Sequence, residues 1–201
     1  MKEIFFMDID TQRDFMLPSG SMYVPGAERL IPRLRKLFDC ARLQKISVLS
    51  SQDAHTPEDP EFQQFPPHCV KGTEGQQKLA ETLLFRPKIL ENKPADLNFH
   101  DLVQKYQQVI VDKQTLDVFQ NPIADKVLRA LPKHAFVFGV ATEYCVRLAA
   151  LGLRQRGVKT AVIIDAIRPV AADAGAKAIE EMRQAGVEFI ETQALLQAYA
   201  A

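Results

Sequence analysis

Six short apolar runs alternate along the chain with stretches in which apolar residues recur every three or four positions. The runs are three or four residues long and rich in Val, Ile and Phe, which is typical of strands buried on both faces of a sheet. They fall at residues 4–7, 46–49, 109–111, 135–138, 161–164 and 187–190.

Helical periodicity is clearest over residues 27–41, where seven apolar side chains fall on one stripe. Further helices are predicted at about 121–131, 143–156 and 173–184. Strands that alternate with helices indicate a parallel sheet built with right-handed crossovers. We therefore predict a doubly wound, Rossmann-like three-layer α/β fold, with a mostly parallel six-stranded sheet and helices on both faces. Its ligand is expected at the carboxyl ends of the strands.

Residues 51–81 interrupt this alternation. The segment holds four prolines, two glycines and two of the four histidines, and it shows little periodicity. Loops of this length in compact domains are usually functional or disordered. We interpret this one as a binding loop.

The composition limits the classes of protein to which this chain can belong. A chain of 201 residues that is 47% hydrophobic suits one domain over residues 1–201. Its 25 basic residues balance 25 acidic residues without a long run of either sign, which argues against a nucleic-acid partner. The first apolar run is interrupted by Asp8, so neither a signal peptide nor a membrane span is predicted. We expect a cytoplasmic protein with a small-molecule partner.

Cys145 follows a predicted strand and begins a predicted helix, for which Thr142 is a credible N-cap. Backbone amides and the helix dipole at such a position lower the pKa of a thiol and supply donors for an oxyanion. The alternative is an inert thiol that packs the helix against the sheet, which is the commoner role of a free cysteine. Its place at a strand end favours a nucleophile.

Asp10 and Lys113 end two other predicted strands. The carboxyl ends of parallel strands meet at one edge, so this carboxylate and ammonium are expected in the same crevice as Cys145. Taken singly, Asp10 also suits a turn or a helix cap, and Lys113 suits a solvated surface. The three together form a candidate catalytic set.

Asp53 and His55 follow the second predicted strand, with Glu61 and His68 further along the same loop. A carboxylate and two imidazoles suit a divalent ion and leave positions open for water or substrate. Singly, either histidine could be merely packed or solvated. Their common loop favours a metal site.

Four segments together resemble the isochorismatase-like cysteine hydrolases. Residues 10–15 resemble the D-x-Q-x-D-F opening of that family, and residues 139–146 resemble its nucleophile segment. Residues 51–55 and 65–73 are similar to the metal-binding segments of nicotinamidases and pyrazinamidases in particular. Four motifs in this order are far more specific than any one of them.

The resemblance implies a six-stranded hydrolase in which Asp10, Lys113 and Cys145 are the catalytic triad. It also implies a cis peptide before Ala141, with the amides of Ala141 and Cys145 holding the oxyanion. The partner would be a small-molecule amide, bound between Phe15 and Phe65, although each phenylalanine also suits ordinary core packing. We further expect a homo-oligomer.

The metal ligands implied by the resemblance are Asp53, His55 and His68, with Glu61 as a candidate for a further ligand. The expected cofactor is a divalent metal ion, zinc in the first place, with iron and manganese as alternatives.

The predicted function is hydrolysis of nicotinamide, or a related small aromatic amide, through a thioester. Nicotinamidases commonly have an aromatic residue and a glycine where Ala54 and Gln114 stand here, so the pocket wall and the substrate stay open. The alternatives are a related hydrolase of a ureide, carbamoyl or vinyl-ether substrate, a non-catalytic small-molecule binder, and a hydrolase in which metal-bound water attacks.

Overall fold

The computed structural model describes residues 3–199, so four residues of the predicted domain, 1, 2, 200 and 201, lie outside the described residues. Within this range one sheet contains seven strands, and each strand is parallel to its neighbours. The strands are β1 (Phe5–Ile9), β2 (Ser47–Asp53), β3 (Lys88–Leu90), β4 (Gln108–Lys113), β5 (His134–Val140), β6 (Lys159–Arg168) and β7 (Glu188–Ile190).

The α-helices of the same range connect these strands. None of them is both long enough and apolar enough to cross a membrane. They are α1 (Arg13–Met16), α2 (Ile31–Gln44), α3 (Phe99–Lys105), α4 (Ala124–Arg129), α5 (Arg147–Gln155), α6 (Ala172–Gln184) and α7 (Thr192–Tyr199).

The helices cover both faces of the sheet. Side chains of β1 alternate between the faces, as strand geometry requires. Phe5 and Met7 pack in the apolar cluster beneath α3, α4, α5 and α6, whereas Phe6 packs in the cluster beneath α2 and α7. Two apolar layers thus enclose the sheet, which confirms the predicted three-layer α/β fold.

The strand order, β3-β4-β2-β1-β5-β6-β7, has β1 at its centre. The chain first extends the sheet from β1 to β2 and later returns to add β5 on the other side of β1. Ligands of open α/β sheets bind where the strand order reverses in this way, outside the carboxyl ends of the strands. The ends of β1, β2, β4 and β5 therefore define the place to look for a site.

Three of the differences between the structure and the sequence prediction concern the edge of the sheet, the long loop and the segment around Cys145. The sheet has seven strands rather than the six predicted, and the additional strand is β3. The sequence analysis missed β3 because it has only three residues, of which Lys88 is charged and Ile89 is half exposed. The strand β2 continues through Asp53, so the long loop begins later than predicted. The helix predicted over 143–156 is divided into a π-helical turn, Thr142–Val146, and α5.

Candidate active site

The ends of three strands bring Asp10, Lys113 and Cys145 together. Asp10 directly follows β1, Lys113 is the last residue of β4, and Cys145 lies in the turn after β5. Lys113 Nζ is 2.9 Å from Asp10 Oδ2 and 3.6 Å from Cys145 Sγ. The Lys113 side chain is only 1% exposed, so it is not a solvated surface lysine. The three predicted triad residues thus share one crevice.

The charges in this crevice depend on burial and on close partners. Burial raises the pKa of Cys145, and the carboxylates of Asp10 and Asp53 add to this effect, so the thiol is neutral at rest although Lys113 opposes the rise. We predicted a lowered pKa for this thiol, and that prediction is wrong because burial outweighs the nearby positive charge. Burial likewise raises the pKa of Asp10. Burial opposes the charge of Lys113, but the carboxylates of Asp10 and Asp53 outweigh it and raise the pKa of this ammonium.

The turn that carries Cys145 differs from a regular helix start. Ala141, rather than the predicted Thr142, occupies the N-cap position, and Thr142 Oγ1 is buried with no hydrogen-bond partner among the described residues. Tyr144 has non-helical backbone angles within the turn. The peptide bond between Val140 and Ala141 is cis, as the resemblance implies.

Asp53, His55 and His68 form a second cluster beside the triad. One ligand atom of each lies within 4.8 Å of the others. Asp53 Oδ2 is 3.7 Å from His55 Nε2 and 3.5 Å from His68 Nε2. Glu61 Oε2 lies 4.0 Å from His55 Nε2, at the edge of this cluster. All four predicted ligand candidates are therefore near one another.

The donor atoms of this cluster fit a divalent ion. His68 Nδ1 donates to the Pro66 carbonyl at 2.7 Å, and His55 Nδ1 lies 3.0 Å from the Asp59 carboxylate. A hydrogen bond such as that of His68 Nδ1 fixes the ring tautomer and leaves Nε2 free to bind a metal. Both ring nitrogens of His55 are buried and lack a hydrogen-bond partner among the described residues, although Nδ1 lies close to the Asp59 carboxylate. Two such imidazoles and a carboxylate are the donor set that Zn²⁺, Fe²⁺ or Mn²⁺ accepts.

Asp59 was missed by the sequence analysis. Its position before Pro60 indicates a helix cap, and the Asp59 side chain does accept a hydrogen bond from the Glu61 amide. The Asp59 side chain also contacts His55, which lies four residues earlier in the same irregular loop. The sequence pattern carries no signal for that contact.

Asp53 belongs to both clusters. Its Oδ1 accepts a short hydrogen bond from Lys113, and its Oδ2 faces the two imidazoles. Burial opposes ionisation of Asp53, but the Lys113 ammonium and the nearby imidazoles of His55 and His68 outweigh it and lower its pKa. This carboxylate therefore stays charged and contacts both Lys113 and the two imidazoles.

The opening motif, residues 10–15, ties the long loop to β1. The Gln12 side chain accepts from the Asp53 amide at 2.7 Å and donates to the Asp53 carbonyl at 2.8 Å. Asp14 accepts from the Cys69 amide at 2.7 Å. A Cβ on Gly75 would lie 2.1 Å from Asp14 Oδ2, so this approach requires glycine. The motif thus orients the loop that supplies the histidines.

A cavity of about 350 Å³ opens between the two clusters. Asp10, Cys145 and His68 line its floor, and the predicted aromatic residues Phe15 and Phe65 line its walls. The remaining lining residues among those described are mostly apolar and include no lysine or arginine: Ser21, Met22, Tyr23, Val24, Asp53, Glu61, Leu116, Val140, Ala141, Tyr144 and Val170.

Comparisons with known proteins agree with this geometry. The isochorismatase domain family matches residues 6–194. The chain is 26% identical to the nicotinamidase of Saccharomyces cerevisiae, over 91% of this chain and 97% of the relative. It is 28% identical to the nicotinamidase/pyrazinamidase of Mycobacterium tuberculosis, over 90% and 95%. The crystal structure of Pyrococcus horikoshii pyrazinamidase in complex with zinc has a TM-score of 0.76 and 25% identity, with 94% of this chain and 99% of that chain covered.

Proposed function

This chain belongs to the isochorismatase family, and we propose that it is a cysteine amidohydrolase that converts nicotinamide, or a related small aromatic amide, to the acid and ammonia. The observation that carries the proposal is the approach of the Lys113 ammonium to both Asp10 and Cys145, two residues that line a mostly apolar cavity. A nucleophile, a base and a cation within contact distance are the parts that acyl transfer needs.

Asp10 acts first, as a general base. Because the Cys145 thiol is neutral at rest, its proton has to be removed when the substrate carbonyl approaches. A carboxylate whose pKa burial has raised is a stronger base than an exposed one. The Lys113 ammonium stabilises the negative charge as it moves from Asp10 to sulfur.

The thiolate then attacks the amide carbonyl, and a C–S bond forms. The backbone amides of Ala141 and Cys145 stabilise the oxyanion. Asp10 transfers the proton it has taken to the amide nitrogen, the C–N bond breaks, and ammonia leaves. Cys145 now carries the acyl group as a thioester.

Water completes the cycle. Asp10, again ionised, takes a proton from a water molecule as it attacks the thioester carbonyl. The C–S bond breaks, the carboxylic acid is released, and the proton on Asp10 returns to the sulfur. Lys113 keeps Asp10 oriented throughout, since it contacts the carboxylate at 2.9 Å.

Asp53, His55 and His68 would hold a divalent ion, with Glu61 as a candidate for a further ligand. When bound, the ion supplies a Lewis acid that anchors a ring nitrogen of the substrate, directly or through water. The chain's own contribution is the fixed tautomer of His68, the Asp59 carboxylate beside His55, and a charged Asp53 that also binds Lys113.

The cavity favours a neutral substrate over charged alternatives. Asp10, Asp53 and Glu61 line it, and no lysine or arginine side chain does so among the described residues. Away from Lys113 and the Asp53–His55–His68 cluster, a substrate carboxylate would meet no cationic group among these lining residues. A substrate whose carboxylate lies in that part of the cavity is thus less suited than an uncharged aromatic amide.

A panel of amides tests the function. We expect ammonia release from nicotinamide and pyrazinamide, and a much higher KM for benzamide, because benzamide lacks the ring nitrogen that the ion would anchor. Failure to release ammonia from any aromatic amide by the metal-loaded protein, with turnover of a ureide or carbamoyl compound, would favour the related hydrolases.

The contact of Asp59 with His55 gives a metal-binding prediction. Asp59→Asn keeps an oxygen for the Glu61 amide but removes the charge beside His55 Nδ1, so zinc affinity should fall by about 10–100-fold. Asp117 caps another 3-10 helix through the Phe119 amide, and Asp117→Asn is the matched control. Competition titration of the metal-free proteins measures both affinities. Equal zinc affinity in the two variants would contradict the role of Asp59.

A further inference from the structure

A second buried lysine–aspartate pair lies behind the triad. Lys78 Nζ is 2.9 Å from Asp8 Oδ2, and the two side chains are 1% and 0% exposed. Buried ion pairs rarely stabilise a fold more than apolar residues of similar volume would, because both charges lose their water. The reaction described above does not use this pair, so its retention needs another reason.

Lys78 reaches one side of the general base through β2. Its ammonium donates to the Ser51 carbonyl at 3.1 Å. The Ser51 hydroxyl in turn donates to Asp10 Oδ1 at 2.7 Å. Lys78 therefore fixes the backbone of the residue that holds one oxygen of the catalytic carboxylate.

Asp8 reaches the other side of the general base through the chain itself. Asp8 Oδ1 accepts from the Thr11 hydroxyl at 2.8 Å, and Thr11 directly follows Asp10. Asp10 has φ 48°, in the left-handed region that is uncommon for residues other than glycine, although aspartate adopts it more often than most. The Leu79 amide, next to Lys78, donates to the Thr11 carbonyl at 2.9 Å. The segment after β1 is thus held by the Asp8 side chain and by the backbone amide that follows Lys78.

We propose that Asp8 and Lys78 are positioning residues for Asp10, which act through Ser51 and Thr11 and hold the carboxylate in its working orientation. With Oδ1 bound to Ser51, Oδ2 faces Lys113 at 2.9 Å. This inference rests on the proposed function, in which Asp10 exchanges protons with Cys145. Catalytic groups act only within small tolerances of distance and angle, and a displacement of 1 Å can cost about 100-fold in rate.

Ser51→Ala and Ser50→Ala test the inner part of this network. The two serines are neighbours on β2, and both are fully buried. Ser50 accepts from Gln108 Nε2, which also donates to the Thr82 carbonyl and so keeps a partner when Ser50 is replaced. We expect Ser51→Ala to lower kcat for nicotinamide by about 10–100-fold with KM little changed. Ser50→Ala should stay within about twofold of wild type in both constants.

The double variant Asp8→Val/Lys78→Met tests the outer pair. Because both charges are removed together, no unpaired charge is left in the interior. The midpoint temperature of thermal unfolding should therefore stay close to that of wild type. We expect kcat to fall about tenfold or more in this folded protein, with unchanged zinc content. If the pair only stabilised the fold, the double variant would have a changed midpoint of thermal unfolding but wild-type kcat and KM. If the double variant does not fold, Asp8→Asn/Lys78→Gln, which also removes both charges but keeps polar side chains, takes its place.

Alkylation separates this inference from the proposed function. The rate at which iodoacetamide modifies Cys145, followed by peptide mass spectrometry, needs Asp10 as base but needs no substrate. We expect Ser51→Ala to slow this rate about tenfold and Ser50→Ala to leave it unchanged. Wild-type alkylation rates in folded Ser51→Ala would overturn the inference, even if nicotinamide is hydrolysed. A wild-type protein that cleaves no amide would overturn the function, and the alkylation rates would still decide the inference.

Discussion

Cys145→Ala should abolish amide hydrolysis, with kcat lowered by at least about 10⁴-fold, because Cys145 is the one thiol among the described residues that line the cavity. Ammonia release from nicotinamide measures the effect, and zinc content and the circular dichroism spectrum should match those of wild type. Cys40→Ala is the matched control, since Cys40 is 7% exposed and Cys145 is 8% exposed, but Cys40 lies in α2, outside the cavity. It should retain full activity.

The Cys145→Ala variant also distinguishes attack by the Cys145 thiolate from attack by water that a metal ion activates. If water activated by the ion attacked instead, removal of the metal would be fatal and Cys145→Ala would be mild. A Cys145→Ala protein that keeps most of its amidase activity would contradict the assignment of the nucleophile. Protection of Cys145 from alkylation by nicotinamide would support it.

The second large effect is expected from Asp10→Asn. The amide keeps an oxygen for the Ser51 hydroxyl but cannot accept the thiol proton, so kcat/KM should fall by about 10²–10⁴-fold. Asp112→Asn is the control, because Asp112 is also buried beside the end of β4 but accepts from Gln52 rather than facing Cys145. Activity of Asp10→Asn close to that of Asp112→Asn would contradict the role of the base.

The pH dependence of the wild type should report the same group. Asp10 works as a base only when ionised, and burial raises its pKa. Activity should therefore be lost as pH falls through this raised pKa, at a higher pH than for an ordinary carboxyl group. In Asp10→Asn this acid limb of the kcat/KM profile should disappear.

The sequence predicted the parts of the fold that depend on periodic burial. Phe5, Phe6 and Met7 are all buried because β1 is covered on both faces, and such a run is visible without a structure. The edge strand β3 has no such run, since Ile89 is half exposed and Lys88 is charged. The π-helical turn around Cys145 also left no signal, because its residue types suit a regular helix equally well.

The candidate site was predictable where each residue ends a strand or stands in a recognisable motif. Asp10, Lys113 and Cys145 follow from the rule that parallel strands end at one edge. Ser51 and Asp59 were not predicted, because each acts through a contact between segments whose spacing only the folded loop defines. The raised pKa of Cys145 was missed for a related reason: burial of the thiol depends on walls built by distant segments.

Trapping the acyl-enzyme tests the central claim, that Cys145 is the nucleophile, most directly. Wild-type protein is mixed with nicotinamide, quenched in acid during turnover, digested and analysed by mass spectrometry. We expect a pyridine-3-carbonyl group on the peptide that contains Cys145, which disappears once the substrate is exhausted. Full turnover with no acyl group on that peptide at any quench time, together with an active Cys145→Ala variant, would contradict the account.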